Sequence, residues 1–181
     1  MRRTLLVGAS LAILVAACGG GSISETEYVE NLNAMVIDLG SDLETSLAVF
    51  QQKADPTLEE FVAFVEEQLV VEHEVRDWFE ALNPPDSVDD VNQIMVDTLV
   101  RILAVAEGVV AVADTVDSME DMERTPEFAA YQTVNADADS MCLEVQAKIN
   151  DLSTGPVIDS PWIADLRSTV RAFLYCDEVP E

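Results

Sequence analysis

"VDDVNQIMVDTLVRILAVAEGVVAVADTV", Val88 to Val116, decides the fold of this 181-residue chain. Val88, Val91, Met95, Thr98, Ile102, Val105, Val109, Val112 and Val116 recur at steps of three and four, with one polar break. Those steps trace one face of a 3.6-residue helix, whereas a strand would alternate with period two. Ile94, Leu99, Leu103, Ala106 and Val110 widen the apolar stripe, so this helix is expected to be the most buried. Gly108 lies inside it and suggests a close helix contact.

The same period extends to both sides. Ser87 and Asp90 suggest the start of this helix, and Asn83-Pro84-Pro85 stops the one before, because proline disfavours helix in its predecessor. That earlier helix carries Leu58, Phe61, Val62, Phe64, Val65, Leu69, Val71, Val75, Trp78, Phe79 and Leu82. Asp55 as N-cap and Pro56 as first helical residue mark its expected start. A first helix begins near Ser24, with Glu27 completing a capping box, and runs to about Gln52. Its stripe is Val29, Leu32, Val36, Leu39, Leu43, Leu47 and Phe50.

Downstream, Asp117 to Glu123 reads as an acidic connector. Thr125-Pro126 opens a fourth helix with Phe128, Tyr131, Ala138, Cys142, Val145, Ile149 and Leu152 on one face, and Gly155-Pro156 ends it. A short last helix starts near Ser160-Pro161, carries Trp162, Ile163, Leu166, Val170 and Phe173, and ends at Cys176. Four long helices with short links predict an all-α, antiparallel four-helix bundle over residues 24–181. The short fifth C-terminal helix is expected to cap or flank it.

The N-terminus is of another kind. Arg2 and Arg3 precede thirteen residues, Leu5 to Ala17, that are apolar but for Gly8 and Ser10. As a helix they would rise about 20 Å, short of the roughly 30 Å needed to cross hydrocarbon, so a secretory signal over residues 1–17 fits better than a span. Val15-Ala16-Ala17-Cys18 resembles the bacterial lipobox. The resemblance covers the leader and the first residues after it. It implies that Cys18 is lipidated on its thiol and becomes the first residue of the mature chain. Two acyl chains anchor stably where one does not. Gly19-Gly20-Gly21-Ser22 would then form a flexible tether within residues 18–23. With its helical pattern, the Leu82–Pro85 break and the late cysteine pair, the chain is similar to small acidic helical envelope lipoproteins of actinobacteria. That similarity implies anchoring at the extracytoplasmic face of the cell membrane and no particular reaction.

Charge narrows the partners. Apart from Arg2 and Arg3, seven Lys and Arg face thirty-five Asp and Glu, a formal charge of about −28, and Lys53 and Lys148 are the only lysines. Nucleic acid and anionic lipid head groups are repelled, and basic proteins or cations are attracted. The same charge also serves solubility and tolerance of salt. With Cys18 assigned to lipid, Cys142 and Cys176 remain as an even pair in an oxidising compartment and are expected to form a disulfide, the alternative being two buried thiols.

Chemistry is sparse. His73 shares a helix face with Glu66, Asp77 and Glu80, but Val70 stands where a Glu-x-x-His pair needs its carboxylate, and the sequence has one histidine. Asn135-Ala-Asp137-Ala-Asp139-Ser140 starts like a calcium loop, yet Ser140 and Gln146 occupy the positions that require Gly and Glu. Asp117, Glu120, Asp121 and Glu123 read as a solvated link, with loose cation binding as the other reading. There is no Gly-x-Ser-x-Gly and no glycine-rich phosphate loop. Trp78 and Trp162 read as core residues. The expectation is a non-catalytic binding module without cofactor or metal, anchored through Cys18 and facing a basic or cationic envelope partner. The alternative is a lipoprotein that binds a small ligand or a cation.

Overall fold

A computed structural model describes residues 22–152, 160–174 and 176, apart from the side chains of residues 41–44, 138 and 139. The signal, Cys18, Gly19–Gly21, the Leu43 side chain and Gly155-Pro156 lie outside the described residues. Among these residues all regular structure is helical: α1 (Glu25–Gln51), α2 (Leu58–Ala81), α3 (Asp89–Ala113), α4 (Met119–Met122), α5 (Pro126–Ala136), α6 (Ala138–Leu152) and α7 (Pro161–Phe173). The all-α bundle read from the 3–4 spacing is therefore the fold.

Several starts differ from the sequence reading. Ser24 is the N-cap of α1, its Oγ accepting the Glu27 N–H at 3.3 Å, which is one half of the expected capping box. α2 begins two residues later than Asp55-Pro56 suggests. Thr57 is its N-cap, with Oγ1 accepting the Glu60 N–H at 3.2 Å while Glu60 Oε2 accepts the Thr57 N–H at 3.0 Å. This reciprocal pair satisfies two orphan donors where an Asp cap satisfies one. Ser87 does not cap α3, whose N-cap is Val88 without a side-chain bond. Instead the Ser87 hydroxyl donates to Glu25 Oε1 at 2.9 Å and ties the α2–α3 link to the start of α1. Ile23 joins the same tie: its N–H donates to the Asn83 carbonyl at 3.0 Å and its side chain packs on the core. The chain is thus engaged from Ile23 onward, one residue before the tether was expected to end.

The expected fourth helix is two helices. Asp137 separates α5 from α6, its N–H shared between the Thr133 and Val134 carbonyls at 3.0 and 3.2 Å. Asn135, Asp137 and Asp139 are weak helix formers, and the Thr133 hydroxyl donates back to the Ala129 carbonyl at 2.8 Å, a bond that bends helices. The acidic connector also holds a single turn, α4, capped by Ser118 and planting Met122 in the core. Gly108 faces Glu127 of α5, but a Cβ there would meet Glu127 Cγ at 3.7 Å, an ordinary contact, so the approach does not require glycine.

Two buried clusters follow one another along the bundle. The proximal core, at the Ser24 end, joins Tyr28 and Leu32 of α1, Val75 and Phe79 of α2, Val91, Met95 and Leu99 of α3, Val145 and Ile149 of α6, and Ile163, Leu166 and Val170 of α7. The distal core joins Phe61, Phe64 and Val65 of α2, Ala106 and Val109 of α3, Met122 and Phe128, with Leu47 and Phe50 of α1 at its edge. Helix α7 packs on both α1 and α6. It is therefore a wall of the proximal half rather than a cap, because its Ile163, Leu166 and Val170 stripe is wide enough to enter the core. Trp78 and Trp162, read as core residues, are half-buried and pack against this core from its edge.

Candidate functional site

The distal half has a gap. α1 packs on α2 and on α7, and α5 packs on α3; Tyr28, Leu32 and Met35 of α1 share the proximal core with α7, while Leu47 and Phe50 meet the distal core. A groove of about 660 Å³ runs here between α1 and α2. Its apolar lining is Val49, Phe50, Ala63, Phe64, Val70 and Val71, and its polar lining is Thr45, Ser46, Lys53, Glu60, Glu67 and Gln68. Phe50 and Phe64 stack at 4.2 Å with their rings 9° apart and form the floor. Val49 and Val70 are 57% and 61% exposed.

Electrostatics around the groove are one-sided. Its lining cation, Lys53, bonds Glu60 Oε1 at 2.6 Å, which holds the Glu60 carboxyl below the usual carboxylate range. Glu67 Oε2 accepts the Ser46 hydroxyl at 2.8 Å and links the two walls. α2 carries eight acidic residues and one arginine, and Arg76 is occupied by Asp77 and Glu80.

Behind the groove the α2 seam turns polar. Phe61, Val65, Gln68, Glu72, Val75 and Phe79 follow the 3–4 spacing, so Gln68 and Glu72 interrupt the apolar line between the two cores. The Tyr131 hydroxyl donates to Gln68 Oε1 at 3.4 Å. Burial raises the Tyr131 hydroxyl, against a bond with Asn135 that lowers it, and the nearby Glu72 charge raises it further. Burial also pushes the Glu72 carboxyl up to about 7, and its Oε2 has no hydrogen-bond partner in the protein.

Glu72 has a consequence for pH dependence. In the unfolded chain the proton leaves near 4.5, and in the folded chain it stays until about 7. Between those values the folded state binds the extra proton, so the Glu72 contribution to stability falls as pH rises across that window. Glu72→Gln is expected to be more stable than the parent chain at pH 8 by about 1–3 kcal/mol, and to lose that advantage at pH 4. Thermal melts of both chains at the two pH values check this.

The other residues singled out in the sequence are dispersed. His73 Nε2 lies 3.2 Å from Glu107 Oε1 of α3, and no group of His, Cys, Asp and Glu among the described residues is arranged to hold a metal. In the connector, Arg124 pairs with Glu120 and with Asp121, and Asp121 Oδ2 also accepts the Ser118 hydroxyl at 2.8 Å. These carboxylates are used by the fold. Cys142 and Cys176 form the expected disulfide, Cα to Cα 5.9 Å, with both residues buried. An acidic face or groove was expected to bind the partner, but no residue of this groove was singled out for it. Its signal in the sequence is two valines, Val49 and Val70, that fall off the core stripes of their helices.

The chain matches no known family model, no curated protein and no solved structure.

Proposed function

We propose that the chain is a lipid-anchored protein of the bacterial cell envelope, held outside the cytoplasm through Cys18, and that it binds a basic partner without catalysing a reaction. The observation that carries the binding role is the groove between α1 and α2, an apolar trough with an acidic rim among the described residues. Its position suits an anchored protein. The lipid would enter from Ile23, whereas the groove begins at Thr45 and ends at Lys53, about 30–45 Å farther along α1. The groove would therefore face away from the bilayer, beyond the Debye length of about 10 Å over which an acidic domain feels anionic lipid. The disulfide agrees with an oxidising compartment.

Anchoring is tested on the chain made in a bacterial host that processes lipoproteins. The expected result is a mature N-terminus at Cys18 carrying acyl mass, with the protein entering the detergent phase, and a Cys18→Ala chain that lacks this mass. An unmodified Cys18 in a chain that stays in the aqueous phase overturns the anchoring.

A further inference from the structure

We infer that the α1–α2 groove receives a short amphipathic helix with basic flanks, supplied by another protein. The inference rests on the binding role proposed above and names the chemistry of its partner.

The shape argues for a helix. The groove's lining runs five residue steps along α1, Thr45 to Phe50, and eleven along α2, about 8 and 16 Å, which matches about one and a half to three helical turns. It is open along one side, so a small molecule would leave much of its surface in water, whereas ligand pockets bury about 70–90% of theirs. No strand occurs among the described residues, so an extended segment finds no sheet edge to join. In the proximal half α7 lies along α1. A helix in the groove would likewise lie along α1, in the distal half, and would cover the Phe50–Phe64 floor and the exposed methyl groups of Val49 and Val70. Apolar anchors at i, i+3, i+4 and i+7 are the means by which such grooves read a helix.

The charge argues for basic flanks. On the rim Lys53 and Glu60 neutralise each other, which leaves the negative charge of Glu67, and α2 as a whole carries eight acidic residues against one arginine. A second copy of the chain would bring a formal charge of −26 against the same sign. A basic helix is instead attracted at long range, and its arrival is accelerated.

The test uses the full chain in phosphatidylcholine nanodiscs and dye-labelled 14-residue peptides, read by anisotropy with empty discs subtracted. One peptide places leucines at i, i+3, i+4, i+7 and i+11 with lysines between. The other has the same composition in scrambled order. The ordered peptide is expected to bind at least about tenfold tighter than the scrambled one. The double variant Val49→Asn, Val70→Asn should bind it about tenfold more weakly, with Val100→Asn, an exposed valine of α3, unchanged. These substitutions leave the charge intact and alter exposed side chains, and an unchanged circular dichroism melt confirms that the fold is kept. Equal binding of both peptides, or equal binding by the groove variant and the Val100→Asn control, overturns the inference in favour of unspecific charge attraction. A dimer in sedimentation that the double variant abolishes overturns it in favour of self-association. Repeating the titration on the chain free in buffer separates the groove from the anchor, since a failure of lipidation at Cys18 leaves the peptide result unaffected.

Discussion

Phe79→Ala is expected to lower the stability of the chain by about 3–5 kcal/mol. The Phe79 side chain is fully buried in the proximal core. It meets Trp78 edge-on at 5.0 Å and Phe173 of α7 at 5.8 Å, so its loss removes aromatic contacts on two helices. The cavity would open where α1, α2, α3, α6 and α7 all contribute side chains, and a site framed by five helices cannot collapse by moving one of them. Urea unfolding followed by circular dichroism should show a lower midpoint with an unchanged slope. The transition should remain single, because α2 and α3 run through both cores and couple them. A loss under about 1 kcal/mol would contradict the packing. Two separate transitions would show that the proximal and distal halves unfold independently. Phe79→Leu, which keeps most of the volume, should recover most of the loss.

What could be read from the chain follows the range of the interactions involved. Helices α1, α2, α3 and α7 announce themselves because their burial repeats every three or four residues and because Ser24, Pro84-Pro85 and Ser160-Pro161 punctuate them locally. The pairing of Cys142 with Cys176 followed from counting. Choices between two local signals were harder. Asp55-Pro56 and Thr57 with Glu60 both announce a start for α2, and the reciprocal pair prevails by satisfying more donors. The break at Asp137 was hidden by an apolar stripe that continues across it. Long-range geometry was not legible. Tyr28 is fully buried because its hydroxyl reaches Asn92 Oδ1 at 3.2 Å, across 64 residues of sequence. The place of α7 depends on α1 and α6 leaving a gap of its width. The groove depends on how α1 and α2 pair in space, and an alignment of stripes along one chain carries no signal for that. Val49 and Val70 look like ordinary surface valines until α1 and α2 bring them to one trough.

Removing the disulfide is the second large effect expected. The bond joins residues 34 apart, and closing a loop of that length stabilises by about 4 kcal/mol on the chain-entropy account. The folded state adds a reason for the loss to be felt locally. α7 ends at Phe173, three residues before the Cys176 that was expected to end it, and the Cys176 carbonyl accepts the Arg171 Nη2–H at 3.2 Å while its N–H donates to the Arg171 carbonyl at 3.0 Å. The bond therefore holds the end of α7 against α6, and α7 supplies a wall of the proximal core. The double variant Cys142→Ala, Cys176→Ala avoids burying new hydroxyls and should lose about 3–4 kcal/mol. Reductant should shift the parent chain by a similar amount and leave the double variant where it is. Hydrogen exchange distinguishes a local from a global effect. Amides of α7 should lose more protection than those at the centre of α2, because α7 is the helix whose end is released. If the whole chain lost protection evenly, the crosslink would act on the unfolded ensemble alone, and α7 would keep its place through Ile163, Leu166 and Val170 without it.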